Sequence, residues 1–104
     1  MILPRGMAQP AELEKEIAAL APYPPGVIKV RYAVEDDWSG DPAIYFRITL
    51  SDEAARREVR RQHTRRITDY IEERLDPIRR WDLFPYFNFR SESEQAELQD
   101  KLWN

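Results

Sequence analysis

Cysteine is absent from this chain, and glycine and histidine are scarce, with three glycines and one histidine in 104 residues. The absence of cysteine excludes disulfides, thiolate metal ligands and a cysteine nucleophile, and it fits a reducing compartment. Three glycines make a phosphate-cradling loop an unfavourable interpretation, and no Walker A, G-x-G-x-x-G, H-E-x-x-H or G-x-S-x-G motif occurs. The sequence therefore predicts no catalytic residue, no cofactor and no metal site.

Long apolar runs are missing as well. None approaches the roughly twenty residues that a membrane span needs, and residues 1–5 are too short and too interrupted by proline for a signal peptide. Hydrophobic residues make up 42% of the chain and charged residues 34%, which suits one modest core under a charged surface. We expect a cytoplasmic protein with a flexible tail over residues 1–8 and a single domain over residues 9–104.

Hydrophobic periodicity predicts the element order α-β-β-α-β-α. The predicted elements are a helix from Pro10, strands at 27–35 and 44–50, a helix from Ser51 to Asp76, a strand at 86–90 and a helix after Ser91. The first two strands should form an antiparallel hairpin around the turn residues 36–42. We predict an α+β fold with a three-stranded antiparallel or mixed sheet and helices packed on one face. The order of the third strand in the sheet stays open.

Alternation within the strands predicts two different sheet faces. The apolar face comprises Ile28, Val30, Tyr32, Ile44, Phe46, Ile48, Phe87 and Phe89. The opposite face comprises Lys29, Arg31, Tyr45, Arg47, Tyr86 and Arg90. Cations that hold phosphates and rings that stack on bases are typical of proteins that bind single-stranded RNA or DNA. A solvated sheet face or a dimer interface has the same composition, so the three interpretations stay open.

Arginine is concentrated in one segment, where it supplies six of the eleven residues between positions 56 and 66. These residues are Arg56, Arg57, Arg60, Arg61, Arg65 and Arg66. With one glutamate the segment carries a charge of +5, and since the net charge of the chain is −3, the other residues carry −8. A basic segment on an acidic body favours an acidic partner. On a helical wheel the six arginines spread around the axis, which favours docking of an acidic protein, either a second copy or a neighbouring gene product, over reading of a nucleic-acid groove.

Two tryptophans are candidate apolar anchors for such a partner. Trp38 lies in the hairpin turn among four carboxylates, and it either folds back as a lid on the core or stands exposed as an anchor; we favour the lid. Trp103 lies near the end of the final helix. The carboxylates could hold Mg²⁺ or Ca²⁺, but Asp and Glu beside Ser, Gly and Pro are ordinary turn residues.

The single histidine, His63, falls on the apolar stripe of the long predicted helix. Imidazole titrates near neutral pH, so a small enzyme that uses His63 is an alternative. A lone histidine without a partner at motif spacing is more often a boundary residue hydrogen-bonded to a neighbour. We therefore favour a protein without catalytic activity.

Three segments carry a resemblance to other proteins: residues 37–43 (DWSGDPA), 50–54 (LSDEA) and 85–91 (PYFNFRS). In these segments the chain resembles short bacterial proteins whose genes lie beside those of small helical, HEPN-like proteins in toxin–antitoxin-style pairs. The motifs of that group have no assigned chemistry, so no site residue is carried over. The resemblance implies a two-component arrangement in which this chain is the antitoxin-like member.

Overall fold

The computed structural model describes residues 3–104. Its elements in chain order are α1 (Arg5–Ala8), α2 (Pro10–Ala18), β1 (Val27–Asp36), β2 (Pro42–Leu50), α3 (Arg60–Leu75), α4 (Pro77–Trp81), β3 (Phe84–Ser91), α5 (Glu92–Leu98) and a 3₁₀ turn (Lys101–Trp103). The predicted α+β class is confirmed, and the helix predicted after Ser91 begins with a capping box formed by Ser91 and Glu94. No helix within the described range is long and apolar enough to cross a membrane.

The sheet is mixed, and its strand order is β1-β2-β3. β1 and β2 form the expected antiparallel hairpin, whereas β3 runs parallel to β2. A parallel neighbour requires a crossover connection, and residues 51–83, which include α3 and α4, provide it. Because β2 is the central strand, Ile44, Phe46, Ile48 and Leu50 are fully buried.

The core forms where one sheet face meets the apolar stripes of the helices. Leu13 and Ile17 of α2 and Ile67 and Ile71 of α3 pack with the buried side chains of β2. Ile28, which the alternation places in this core, is instead 52% exposed. The register of β1 shifts between Val27 and Lys29, and an extra residue in one strand changes which side chains face the core.

Helix α3 begins at Arg60, so the predicted start after Ser51 is wrong. Residues 52–59 form a series of turns instead. The Ser51 hydroxyl does accept a hydrogen bond from the Ala54 amide, but the Asp52 carboxylate accepts two from Ser93 at the start of α5. Asp52 therefore accepts from the first turn of a helix that is distant in the sequence and not from its own segment.

The N-terminal residues differ from the expected tail. Residues 5–8 form the short helix α1, in which Gly6 is buried and the Arg5 guanidinium lies 4.1 Å from the ring centroid of Trp81. A β-carbon at Gly6 would overlap the Leu83 side chain. The absence of a side chain at Gly6 thus lets α1 pack against Leu83. The hydrophobic pattern of eight residues does not indicate such a contact. Met1 and Ile2 lie outside the described residues.

The positions of the C-terminal elements also differ from the prediction, which placed all helices on one face of the sheet. α5 and the 3₁₀ turn contact β2 on the face that carries Lys29 and Thr49. Trp103 is only 5% exposed there. The αL conformation of Gln99 (φ 51°) ends α5, and the chain can then turn Trp103 onto the sheet.

Candidate protein-interaction surface

The arginine segment lies at the end of the sheet opposite the hairpin turn. Ser51, which follows β2, and Ser91, which ends β3, mark this end. Arg56, Arg57, Arg61, Arg65 and Arg66 are exposed. No ion pair involves any of these five within residues 3–104. The predicted basic surface is therefore present, and five of its six cations have no carboxylate partner there.

Arg60 is the exception, because its guanidinium is engaged inside the fold. It lies 2.9 Å from the Glu94 carboxylate and donates a second hydrogen bond of 3.1 Å to the backbone carbonyl of Phe89. The Arg60 hydrogen bond is the main cause that lowers the pKa of Glu94. Arg60 thus joins the start of α3 to the end of β3 and to α5, which is a structural role.

A groove of about 550 Å³ runs between this segment and strand β3. We call it the arginine groove; its lining residues are Arg57, Arg60, Arg61, Thr64, Phe87, Asn88 and Phe89. Phe87 and Phe89 pack against the core and remain half-buried, so their rings supply an aromatic floor. Sequence analysis missed this pairing because β3 had no assigned place in the sheet. Once β3 is the edge strand beside β2, its rings and the arginines meet.

The hairpin tip, residues 35–42, presents Trp38 to solvent. Trp38 is 92% exposed, so the expected lid is wrong and the exposed alternative holds. The Asp37 carboxylate accepts from the amides of Ser39 and Asp41, both at 3.0 Å, from the Ser39 hydroxyl, and at 2.9 Å from the Tyr86 hydroxyl. These bonds, led by that from the Ser39 hydroxyl, lower the pKa of Asp37 to about 2. The hydrogen bonds of this one carboxylate therefore order the turn.

The carboxylates at the tip do not form a metal cluster. Across residues 3–104, no group of three or more His, Cys, Asp or Glu side chains is arranged to hold a metal ion. Glu35, Asp36 and Asp41 are exposed and belong to no ion pair in the same range. The tip is thus an acidic surface around an indole ring.

The candidate nucleic-acid face is assembled as the alternation predicts, but much of it is occupied. Arg31 and Arg47 are cross-strand neighbours, and Tyr45 stacks on Tyr86 with ring centroids 4.9 Å apart. Arg31 donates to the backbone oxygen of Asn104 at 2.6 Å.

Arg90 is occupied in a similar way. It lies over the Trp103 ring at 4.4 Å and pairs with Asp100. Lys29 and Arg47 are the cations of this face that have neither an ion pair nor a side-chain hydrogen bond within the described part of the chain.

Two other sequence candidates lie away from the arginine groove. Trp103 is buried beneath Arg90, so an exposed anchor at this position is wrong. His63 is half-buried, and its Nδ1 atom is buried without a hydrogen-bond partner. It faces Gly26, where an added β-carbon would lie 3.4 Å from Nδ1.

A larger groove of about 650 Å³ lies between β1 and the C-terminal elements. Ile28 and Trp103 line it together with Lys29, Glu92 and Lys101. Its charged lining residues are two lysines and one glutamate, so charges of both signs are present. The arginine groove is smaller but has one sign of charge and an aromatic floor, and for that reason we regard it as the stronger candidate site.

Comparison of this chain with protein-family models, with curated proteins and with solved structures finds no match.

Proposed function

We propose that this chain is a non-catalytic module that binds an acidic protein partner in the arginine groove. The observation that carries the proposal is the aromatic floor of Phe87 and Phe89 beside Arg57 and Arg61, two exposed cations that have no carboxylate partner in residues 3–104. Rings supply the apolar contact of an interface centre, and arginine supplies bidentate contacts to carboxylates. An acidic segment with apolar side chains fits both.

Electrostatics supports the sign of the partner. Two unit charges 4 Å apart repel by about 1 kcal/mol in water and more at a partly dry surface. Arg57 and Arg61 line the same groove, so the free protein holds like charges on one small surface. Carboxylates of a partner would replace repulsion with attraction, and an increase in salt would weaken the complex.

The arrangement that the sequence resemblance implies fits this proposal. An antitoxin-like member of a bacterial gene pair acts by binding its neighbour, and such a pair would meet in the cytoplasm. The acidic partner would then be the neighbouring gene product or a second copy of this chain.

The test uses a defined acidic probe. A fluorescein-labelled peptide of about ten residues, in which Glu alternates with Leu and Trp, is titrated into the full chain at low salt. Reversal of two cations in Arg57→Glu/Arg61→Glu should lower the affinity more than about tenfold. The matched control Lys15→Glu/Arg79→Glu makes the same change in net charge at exposed positions outside the groove. Equal weakening by both variants would contradict a specific groove.

A second candidate function is binding of single-stranded nucleic acid on the part of this sheet face that the C-terminal elements leave open. The stacked pair Tyr45 and Tyr86 favours it, together with Arg47, which has no ion pair in residues 3–104. A labelled oligothymidine of about twelve nucleotides should then bind at about 50 mM salt and release as salt rises. Arg47→Glu should abolish this binding, whereas Arg79→Glu should not. Absence of binding at low salt would exclude the candidate.

A further inference from the structure

Two surfaces of this molecule are complementary in the type of their side chains and in charge. The hairpin tip presents the indole of Trp38, 92% exposed, among the exposed carboxylates of Glu35, Asp36 and Asp41. The arginine groove presents phenyl rings among guanidinium groups. An indole that enters this groove would lie on the rings of its floor and beside the guanidinium groups of its walls, where aromatic and cation–π contacts are favourable.

The tip does not occupy the groove of its own molecule, since Trp38 is 92% exposed. Ala43, next to the tip, pairs with Phe84, whereas Phe87 and Phe89 of the groove floor pair with Phe46 and Ile48. Three to five residue steps, or about 10 to 17 Å of strand, therefore separate Ala43 from the floor. The hydrogen bonds of Asp37 hold the turn in place, among them the bond from Tyr86 of β3. With the turn held in this way, its indole and carboxylates are open to another molecule.

We propose that the occupant of the arginine groove is the hairpin tip of a second copy of this chain, a proposal that rests on the proposed function. Trp38 is the anchor, and Glu35, Asp36 and Asp41 face Arg57 and Arg61 of the neighbour. The contact joins different surfaces of the two copies, so it is head-to-tail. Each dimer keeps one free tip and one free groove, and further copies add to a chain or close a ring.

Charge-swapped variants test this contact. Sedimentation equilibrium of the full chain, between about 10 μM and about 1 mM at low salt, should show the mean mass rising above the 12.4 kDa monomer. Arg57→Glu/Arg61→Glu places two carboxylates in the groove, and Glu35→Lys/Asp36→Lys leaves two lysines and two aspartates at the tip. Each variant alone should remain monomeric. An equimolar mixture of the two should associate again, because the unchanged acidic tip of the first variant meets the unchanged basic groove of the second.

Trp38 supplies an independent readout. It is the exposed tryptophan, whereas Trp81 and Trp103 are 0% and 5% exposed, so quenching by acrylamide reports mainly on the tip. Quenching should fall as the protein concentration rises, and it should not fall for Arg57→Glu/Arg61→Glu. Trp38→Ala should abolish association. Leu102→Ala removes another exposed apolar side chain, 63% exposed, and should leave association unchanged.

Several results would overturn the inference. A monomeric mass up to about 1 mM at low salt would do so, as would association that survives Trp38→Ala or a mixture of swapped variants that stays monomeric. Thermal unfolding of each variant checks that it is folded, since exposed substitutions change stability by only about 0.5 kcal/mol. The proposed function is tested separately: specific binding of the acidic peptide by a strictly monomeric protein would retain the groove as a site for another partner and reject the second copy.

Discussion

Replacement of Arg60 by alanine should separate the structural arginine of the segment from its binding arginines. The substitution removes an ion pair of 2.9 Å between Arg60 and Glu94 and a hydrogen bond of 3.1 Å from Arg60 to the Phe89 carbonyl. The side chains of the pair are 36% and 45% exposed, so solvent screens it, and we assign it about 0.5 kcal/mol. The bond to the carbonyl adds about 1 kcal/mol. The expected loss is about 1 to 2 kcal/mol of the free energy of unfolding.

For a domain of 104 residues, about 1 kcal/mol corresponds to roughly 5 °C in Tm. Arg60→Ala should therefore lower Tm by about 5 to 10 °C by calorimetry or circular dichroism. Arg61→Ala, which removes an exposed side chain that has no ion pair within residues 3–104, is the matched control and should shift Tm by no more than about 2 °C. The order should reverse for binding of the acidic peptide in variants that remain folded. Equal Tm values for the two variants would refute the structural role of Arg60.

Three further predictions concern the tip, a tight turn and the core. The pKa of Asp37 is lowered in the folded protein to about 2. Its contribution to the order of the turn is therefore complete above the pKa that Asp37 has in the unfolded chain, and it is lost as the pH falls through about 2. Acrylamide quenching of Trp38 should change in that pH range for the parent chain but not for Asp37→Ala. Gly26→Ala should destabilise the protein by about 1 to 3 kcal/mol in urea titrations, because Gly26 has φ +101° and a β-carbon there would lie 2.7 Å from that of Ala54. Gly40→Ala is the control and should cost less, since Gly40 has φ +86° but no atom lies within 4 Å of the added carbon. An equal loss of stability in the two variants would exclude the steric cause. Phe46→Ala should cost about 3 to 5 kcal/mol, since Phe46 is fully buried in the central strand and stacks on Phe87; a cost below about 1 kcal/mol would mean that this core is not formed as described.

Local pattern was sufficient for the elements whose causes lie within a few residues. The alternation in 44–50 predicts the buried face of β2, and Ser91 with Glu94 three residues later predicts the start of α5. Both are confirmed. Pro10 at the first turn of α2 and the helix end at Asp76, before Pro77, follow from the restrictions on the proline ring.

Local pattern failed where a distant residue competes for the same group. Asp52 lies in the first turn of the helix predicted from Ser51, but Ser93, 41 positions away, donates to its carboxylate. Arg60 is predicted to bind a partner, but Glu94, 34 positions away, pairs with it. These separations in the sequence match no helix or strand repeat, so the pattern within one segment does not indicate the partner.

The sequence by itself determined the α+β class, the hairpin, the apolar faces and the contrast between an arginine-rich segment and an acidic remainder. These properties follow from composition and from repeats of two or nearly four residues, which each segment carries alone. Only the tertiary structure decided that Trp38 is exposed and Trp103 buried, that Arg60 is engaged, and that β3 brings aromatic rings beside Arg57 and Arg61. The physical reason is that burial and pairing depend on which segments meet in space, and strand order determines those meetings.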